Sequence, residues 1–146
     1  MNTTWILVAN AARARLFENT GIGKGLNLLS EFDHPQSRLK SADLVTDRAG
    51  FMQSTGNGQS AYQPSTDPKQ NEATHFAHEI AQNLEYGRGQ NKYERLILVA
   101  GAPFLGKLKS HLSHQTLALT SDTLEKDYTT SNTRDIGKHL EHCIYL

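Results

Sequence analysis

Apolar residues in this chain come first in short blocks and later at helical spacing, and the change of period divides it in two. Trp5 to Ala9 is a short run rich in β-formers and reads as a buried strand. Asn10-Ala11-Ala12 turns the chain. Arg13-Ala14-Arg15-Leu16-Phe17-Glu18 alternates imperfectly and meets Asn19-Thr20-Gly21, a second strand ending in a turn. Gly25 to Phe32 carries Leu26, Leu28, Leu29 and Phe32 and predicts a third strand. The short connections among the three imply an antiparallel meander.

From Ala73 the period is helical: Ala73, Phe76, Ala77, Ile80, Ala81 and Leu84 make one apolar stripe. Pro68 suits the first turn of that helix, with Asp67 as its cap and Gly87 at its end. Arg95 to Ala100 is a continuous apolar run, as expected of a strand covered on both faces. Pro103 begins a helix through Phe104, Leu105, Leu108 and Leu112, and Thr116-Leu117-Ala118-Leu119 reads as a further strand. Asn132 caps a last helix, with Asp135 in the capping-box position and Ile136, Leu140, Cys143 and Ile144 as its buried stripe. The order β-β-β-α-β-α-β-α predicts an α/β fold, a five-stranded mixed sheet with helices on both faces, arranged as in ribonuclease-H-like folds.

Between the halves, from about Asp33 to Pro68, lie roughly 35 polar residues with no obvious element, well beyond the ~12–15 at which a bare loop becomes unusual. A mobile loop is expected there, its few apolar residues being Leu39, Leu44, Val45, Phe51 and Tyr62. Within it Gly56-Asn57-Gly58-Gln59 is backbone suited to positive φ, since Gly has no Cβ and Asn pays least of the rest. A flexible loop tip is the plain alternative.

At 146 residues the chain suits one domain, 1–146, with no repeat and no dividing linker. Its 15 basic and 15 acidic residues cancel, so any nucleic-acid contact needs a local basic patch. The single cysteine, Cys143, excludes an internal disulfide and reads as a core thiol. The N-terminus lacks the basic region of a signal peptide, and no stretch reaches the ~18 apolar residues of a membrane span, so a cytoplasmic protein without a membrane partner is expected.

Conventional catalytic sets are missing. A ribonuclease-H-like nuclease needs carboxylates for two metal ions, yet the central strands end Val8-Ala9-Asn10 and Val99-Ala100-Gly101. Three histidine pairs at i, i+3 (His75/His78, His111/His114, His139/His142) lack the zincin spacing and read as solvated helix faces. There is no Gly-x-Ser-x-Gly elbow. Gly101 to Lys107 follows a strand and opens a helix but lacks the Gly-Lys-Ser/Thr ending of a phosphate loop. Neither a metal nor a cofactor is expected.

Gly58-Gln59-Ser60-Ala61, preceded by Gly56-Asn57, resembles the Gly-Gly-Gln-Ser-Ala tip in the middle domain of archaeal and eukaryotic class 1 peptide-chain release factors. That resemblance implies a ribonuclease-H-like sheet and a tip, here Gly56, Asn57, Gly58 and Gln59, that helps water attack the ester of peptidyl-tRNA by amide positioning. It implies the ribosome and tRNA as partners, with Arg48 and Lys69 as phosphate contacts and no DNA partner. Four further segments resemble, in order, the bacterial family described as "protein required for attachment to host cells": Trp5 to Phe17, Asp43 to Gly50, Leu98 to Gly106 and Glu125 to Thr129. That family is regarded as an offshoot of the release-factor middle domain. The chain departs from these patterns at Asn10-Ala11, where the family has Asp-Gly, and at Asn57, where release factors have Gly. A stop-codon-reading domain is not expected within these residues, so the resemblance implies ribosome rescue or action with a partner. A non-enzymatic binding protein of host attachment or stress is the alternative, as is a fold kept for RNA binding without catalysis. The oligomeric state stays open.

Overall fold

The computed structural model describes residues 3–33, 68–144 and 146. The expected mobile loop, Arg48 and the tip Gly56, Asn57, Gly58 and Gln59 lie outside the described residues. The elements are β1 (Thr4–Ala9), β2 (Arg13–Asn19), β3 (Asn27–Asp33), α1 (Pro68–Gly89), β4 (Arg95–Ala100), α2 (Phe104–Ser110), α3 (His114–Leu119), β5 (Thr120–Leu124) and α4 (Thr133–His139). They build one five-stranded sheet in the order β3-β2-β1-β4-β5. The β1–β2 and β2–β3 pairings are antiparallel, and the β1–β4 and β4–β5 pairings are parallel. This is the ribonuclease-H-like arrangement expected from the order of the elements.

Six consecutive buried residues make β1 a strand without a solvent face. Trp5, Leu7 and Ala9 point to one side, where they meet Leu96, Leu98 and Ala100 of β4 and the apolar stripe of α1. Phe104, Leu105 and Leu108 of α2 close that cluster. Ile6 and Val8 point to the other side and pack with Phe17, Ile97 and Val99 beneath Ile136, Leu140 and Ile144. Helices thus cover both faces, and each large aliphatic side chain enclosed contributes about 1.5–3 kcal/mol. Asn132 caps α4 by accepting the Asp135 N–H at 2.8 Å. Cys143 is only half-buried at the end of the stripe, and loss of solvent there pushes its thiol pKa up.

Several expectations need correction: α2 stops at Ser110, short of Leu112, and α4 at His139, so that Leu140, Cys143 and Ile144 pack from beyond its end. Thr116 to Leu119 is helical: it lies in α3, and the fifth strand is the polar Thr120–Leu124 that follows. Four residues of mixed character fit either period, and side chains decide it. Ser113 caps the helix by accepting the Thr116 N–H at 3.2 Å, and the Glu85 carboxylate takes the Ser113 N–H at 2.6 Å and its hydroxyl at 2.9 Å. Nor does Gly87 end α1, which continues to Gly89. The stop is a Schellman motif: Lys92 N–H bonds to Gly87 O, Asn91 N–H bonds to Arg88 O, and Asn91 adopts φ 56°. Gly87 serves instead as a point of close approach, where a Cβ would stand 2.5 Å from the Trp5 ring.

Candidate functional site

In open α/β sheets ligands gather outside the carboxyl ends of the strands where the topology reverses. Here that point is β1, flanked by antiparallel β2 on one side and parallel β4 on the other. Its carboxyl end leads into Asn10, and that of β4 into Gly101. Asn10, Ala11 and Gly101 to Phe104 enclose a cavity of about 290 Å³ with Lys107 and with Ala73 from the early part of α1. Strand β3 runs parallel to β1, so Asp33 stands at the same edge, opposite Arg13. Segment 34–67 thus follows a strand that ends at this edge and precedes a helix whose Ala73 lines the cavity there.

Asn10 is the hub. Its Oδ1 accepts the backbone N–H groups of Ala12 at 2.8 Å and Arg13 at 2.9 Å, which makes the turn into β2. Its Nδ2 donates to Asp127 Oδ2 at 3.0 Å and Thr129 Oγ1 at 3.1 Å, so the amide is fully used. Asp127 Oδ1 in turn accepts the Thr129 N–H at 3.0 Å and its hydroxyl at 2.6 Å. From β2, Arg15 donates to the carbonyls of Thr129 at 3.2 Å and Ser131 at 2.5 Å while its guanidinium lies over Phe17. Residues 127–132 are thereby tied to the first two strands. Beside them opens a cavity of about 640 Å³ lined by Arg13, Arg15, Glu31, Asp33 and Thr129 to Asn132.

The electrostatics suit anchoring better than proton transfer. Burial pushes the Asp127 carboxyl up, but hydrogen bonds from Asn10 and Thr129 and the charge of Arg13 outweigh it and hold the pKa below its ordinary value. A general base works best with a pKa near the operating pH, and the pKa of this carboxylate is shifted away from it. Among the described residues no three His, Cys, Asp or Glu side chains converge as a metal site.

Of the residues expected to act, Gly56, Asn57, Gly58, Gln59 and Arg48 fall outside the described residues, and Lys69 falls in the first turn of α1. Sequence reasoning missed Asn10, Asp127, Thr129 and Arg15 as a unit. Asn before a turn was a usable signal; its partner over a hundred residues away was not. Two of the three histidine pairs also separate, while His75 and His78 both lie in α1. His111 caps the end of α2 while His114 opens α3, and His142 lies beyond α4. His139 stacks on Tyr128 with centroids 4.0 Å apart, and His78 meets His111 edge to face.

No helix among the described residues is long and apolar enough to cross a membrane. The family model for "Protein required for attachment to host cells" matches residues 5–140. No curated protein matches the sequence significantly. Among solved structures, an archaeal translation termination factor aligns over 97% of this chain and 39% of its own at 11% identity and a TM-score of 0.50. A structure described as an archaeal protein aligns over the same shares at 9% identity and a TM-score of 0.49. At these identities the likeness to the termination factor is one of fold, and the chain spans 39% of that protein's length.

Proposed function

This chain belongs to the family of proteins required for attachment to host cells, and we propose that within it the chain acts as a translation-associated factor that promotes hydrolysis of the peptidyl-tRNA ester in ribosome rescue. In this reading residues 1–146 form a single cytoplasmic domain whose partners are the ribosome and tRNA. Gly56-Asn57-Gly58-Gln59 forms the working tip. The amides of the tip place a water molecule against the ester, and Gln59 excludes larger nucleophiles. Arg48 and Lys69 hold phosphates, so binding weakens as salt rises.

The observation that carries this reading is that Asp33, which precedes the segment bearing the tip, stands at the switch-point edge of the sheet, and Ala73, early in the helix that follows that segment, lines the cavity there. The side chains around that edge are bonded to one another, which gives a segment mounted there a firm base. Rate enhancement by positioning asks for such a base and for no acid–base pair. The shared fold with an archaeal translation termination factor is consistent with it.

The test is release of a labelled peptide from stalled ribosomes by the wild type and by Gly58→Ala. A Cβ at Gly58 costs about 1–2 kcal/mol if the residue needs left-handed backbone, and a displacement of ~1 Å lowers the rate by a factor on the order of 100. Equal rates, or no release by the wild type, favour the second reading, a non-enzymatic binding protein of host attachment or stress, which the family description supports. Co-sedimentation with ribosomes without release would leave RNA binding as the retained property.

A further inference from the structure

We propose that His78 and His111 form a binding site for a divalent transition-metal ion of the imidazole-preferring class, such as Zn²⁺ or Ni²⁺, which joins α1 to the corner between α2 and α3. The two rings come from different helices and lie with centroids 5.1 Å apart and planes at 69°. Metal–nitrogen bonds of about 2.0–2.1 Å at a roughly tetrahedral angle place the centres of two ligating imidazoles about 5 Å apart. The observed centroid spacing is close to that figure, and the edge-to-face rings must turn about their side-chain bonds to bring one nitrogen of each onto a shared ion.

The backbones beneath the rings are held by packing on both sides. Ala77 and Ile80 flank His78 in the core, and Leu112 beside His111 is buried in the same cluster. Phe76 and Phe104 meet across the helices with centroids 6.0 Å apart. Glu85 of α1 holds Ser113, two residues beyond His111, through its N–H and its hydroxyl. The rings themselves are reachable from solvent, His78 exposed and His111 half-buried. With two protein nitrogens, water completes the coordination, which suits metals that accept imidazole readily. The site shares no residue with the Asn10 edge, and it does not rest on the function proposed above.

The experiment is titration of the tag-free full chain with Zn²⁺, and separately Ni²⁺, followed by calorimetry and by the thermal unfolding midpoint. The wild type is expected to bind one equivalent and to melt at a higher temperature as metal is added. His78→Gln and His111→Gln should each weaken binding at least tenfold, while His139→Gln leaves it unchanged. His78 is exposed on a helix surface, so its variant keeps the test valid should His111→Gln fail to fold. Undiminished binding in His78→Gln, binding lost equally in His139→Gln, or no binding by the wild type at millimolar metal would overturn the proposal.

Discussion

At Gly87 a single hydrogen atom keeps α1 against the sheet. A Cβ there would lie 2.5 Å from Cη2 and 2.6 Å from Cζ3 of Trp5, and 3.3 Å from Tyr93. Trp5 cannot retreat freely, because it stacks on Tyr93 at 4.6 Å and Tyr93 is pinned by its hydroxyl to Leu84 O at 2.8 Å. Burial pushes the Tyr93 phenol pKa up to about 12, which extends the range over which that hydroxyl donates into more alkaline solution. Gly87→Ala gains up to ~1 kcal/mol of helix propensity but meets overpacking of about 1–3 kcal/mol. The expected result is a lower urea midpoint. Gly89→Ala, with nothing within 4 Å, should be neutral or stabilising in the same assay. Asn10→Asp tests the hub differently, since it sets a second carboxylate against Asp127 where an amide now donates at 3.0 Å. A loss of about 1–2 kcal/mol is expected at pH 7. The wild-type Asp127 pKa is lowered, so its contribution holds above the ordinary carboxyl range and fades as pH falls through the folded value. The variant pair instead gains a proton as pH falls, so its deficit in denaturation should shrink toward pH 4. Neither the Trp5 contact of Gly87 nor the Asp127 partner of Asn10 was legible in sequence, because both are meetings between distant parts of the chain.

Among the elements, those with a long or undivided apolar pattern were legible: β1, β4 and the stripe of α1 stand where periodicity put them. The antiparallel meander of the first three strands followed from connection lengths. What failed was the stretch from Thr116 to Leu124, where a helix of six residues is followed by the strand Thr120–Leu124 with little apolar pattern. The helix is fixed from outside by Glu85, an anchor no local reading supplies. Burial alone would push the Glu85 carboxyl up, yet hydrogen bonds from Ser113 and Thr116 and the charge of Arg88 hold it below its usual value. Glu85→Ala should therefore cost about 1–2 kcal/mol. Hydrogen exchange at the Thr116 and Leu117 amides should quicken before any global loss. Because the pKa is lowered, the stabilisation is present above the ordinary carboxyl range and lost as pH falls through the folded value, so wild type and variant should converge in acid. Unchanged exchange at these amides would remove Glu85 as the determinant of α3.

For the molecule as a whole, the described residues of both core clusters come from the strands, the helices and the short links between them. Replacing residues 36–65 by a short Gly/Ser linker should leave a cooperative thermal transition, since loop length enters the closure entropy only logarithmically. The same variant should lose ribosome co-sedimentation if the proposed function holds. A non-cooperative melt would mean the body depends on that segment. The double pairing of β1 also sets a clock. Its bonds to β2 join residues no further apart than Thr4 and Asn19, whereas its bonds to β4 begin with Thr4 against Arg95, about 90 residues on. Local hairpins close in microseconds, and distant parallel pairing is slow. A nascent chain thus makes its meander early and waits with one edge of its most apolar strand bare until Ala100 has been synthesised. The hazard of aggregation falls in that interval, when an unpaired apolar edge is open to any other strand.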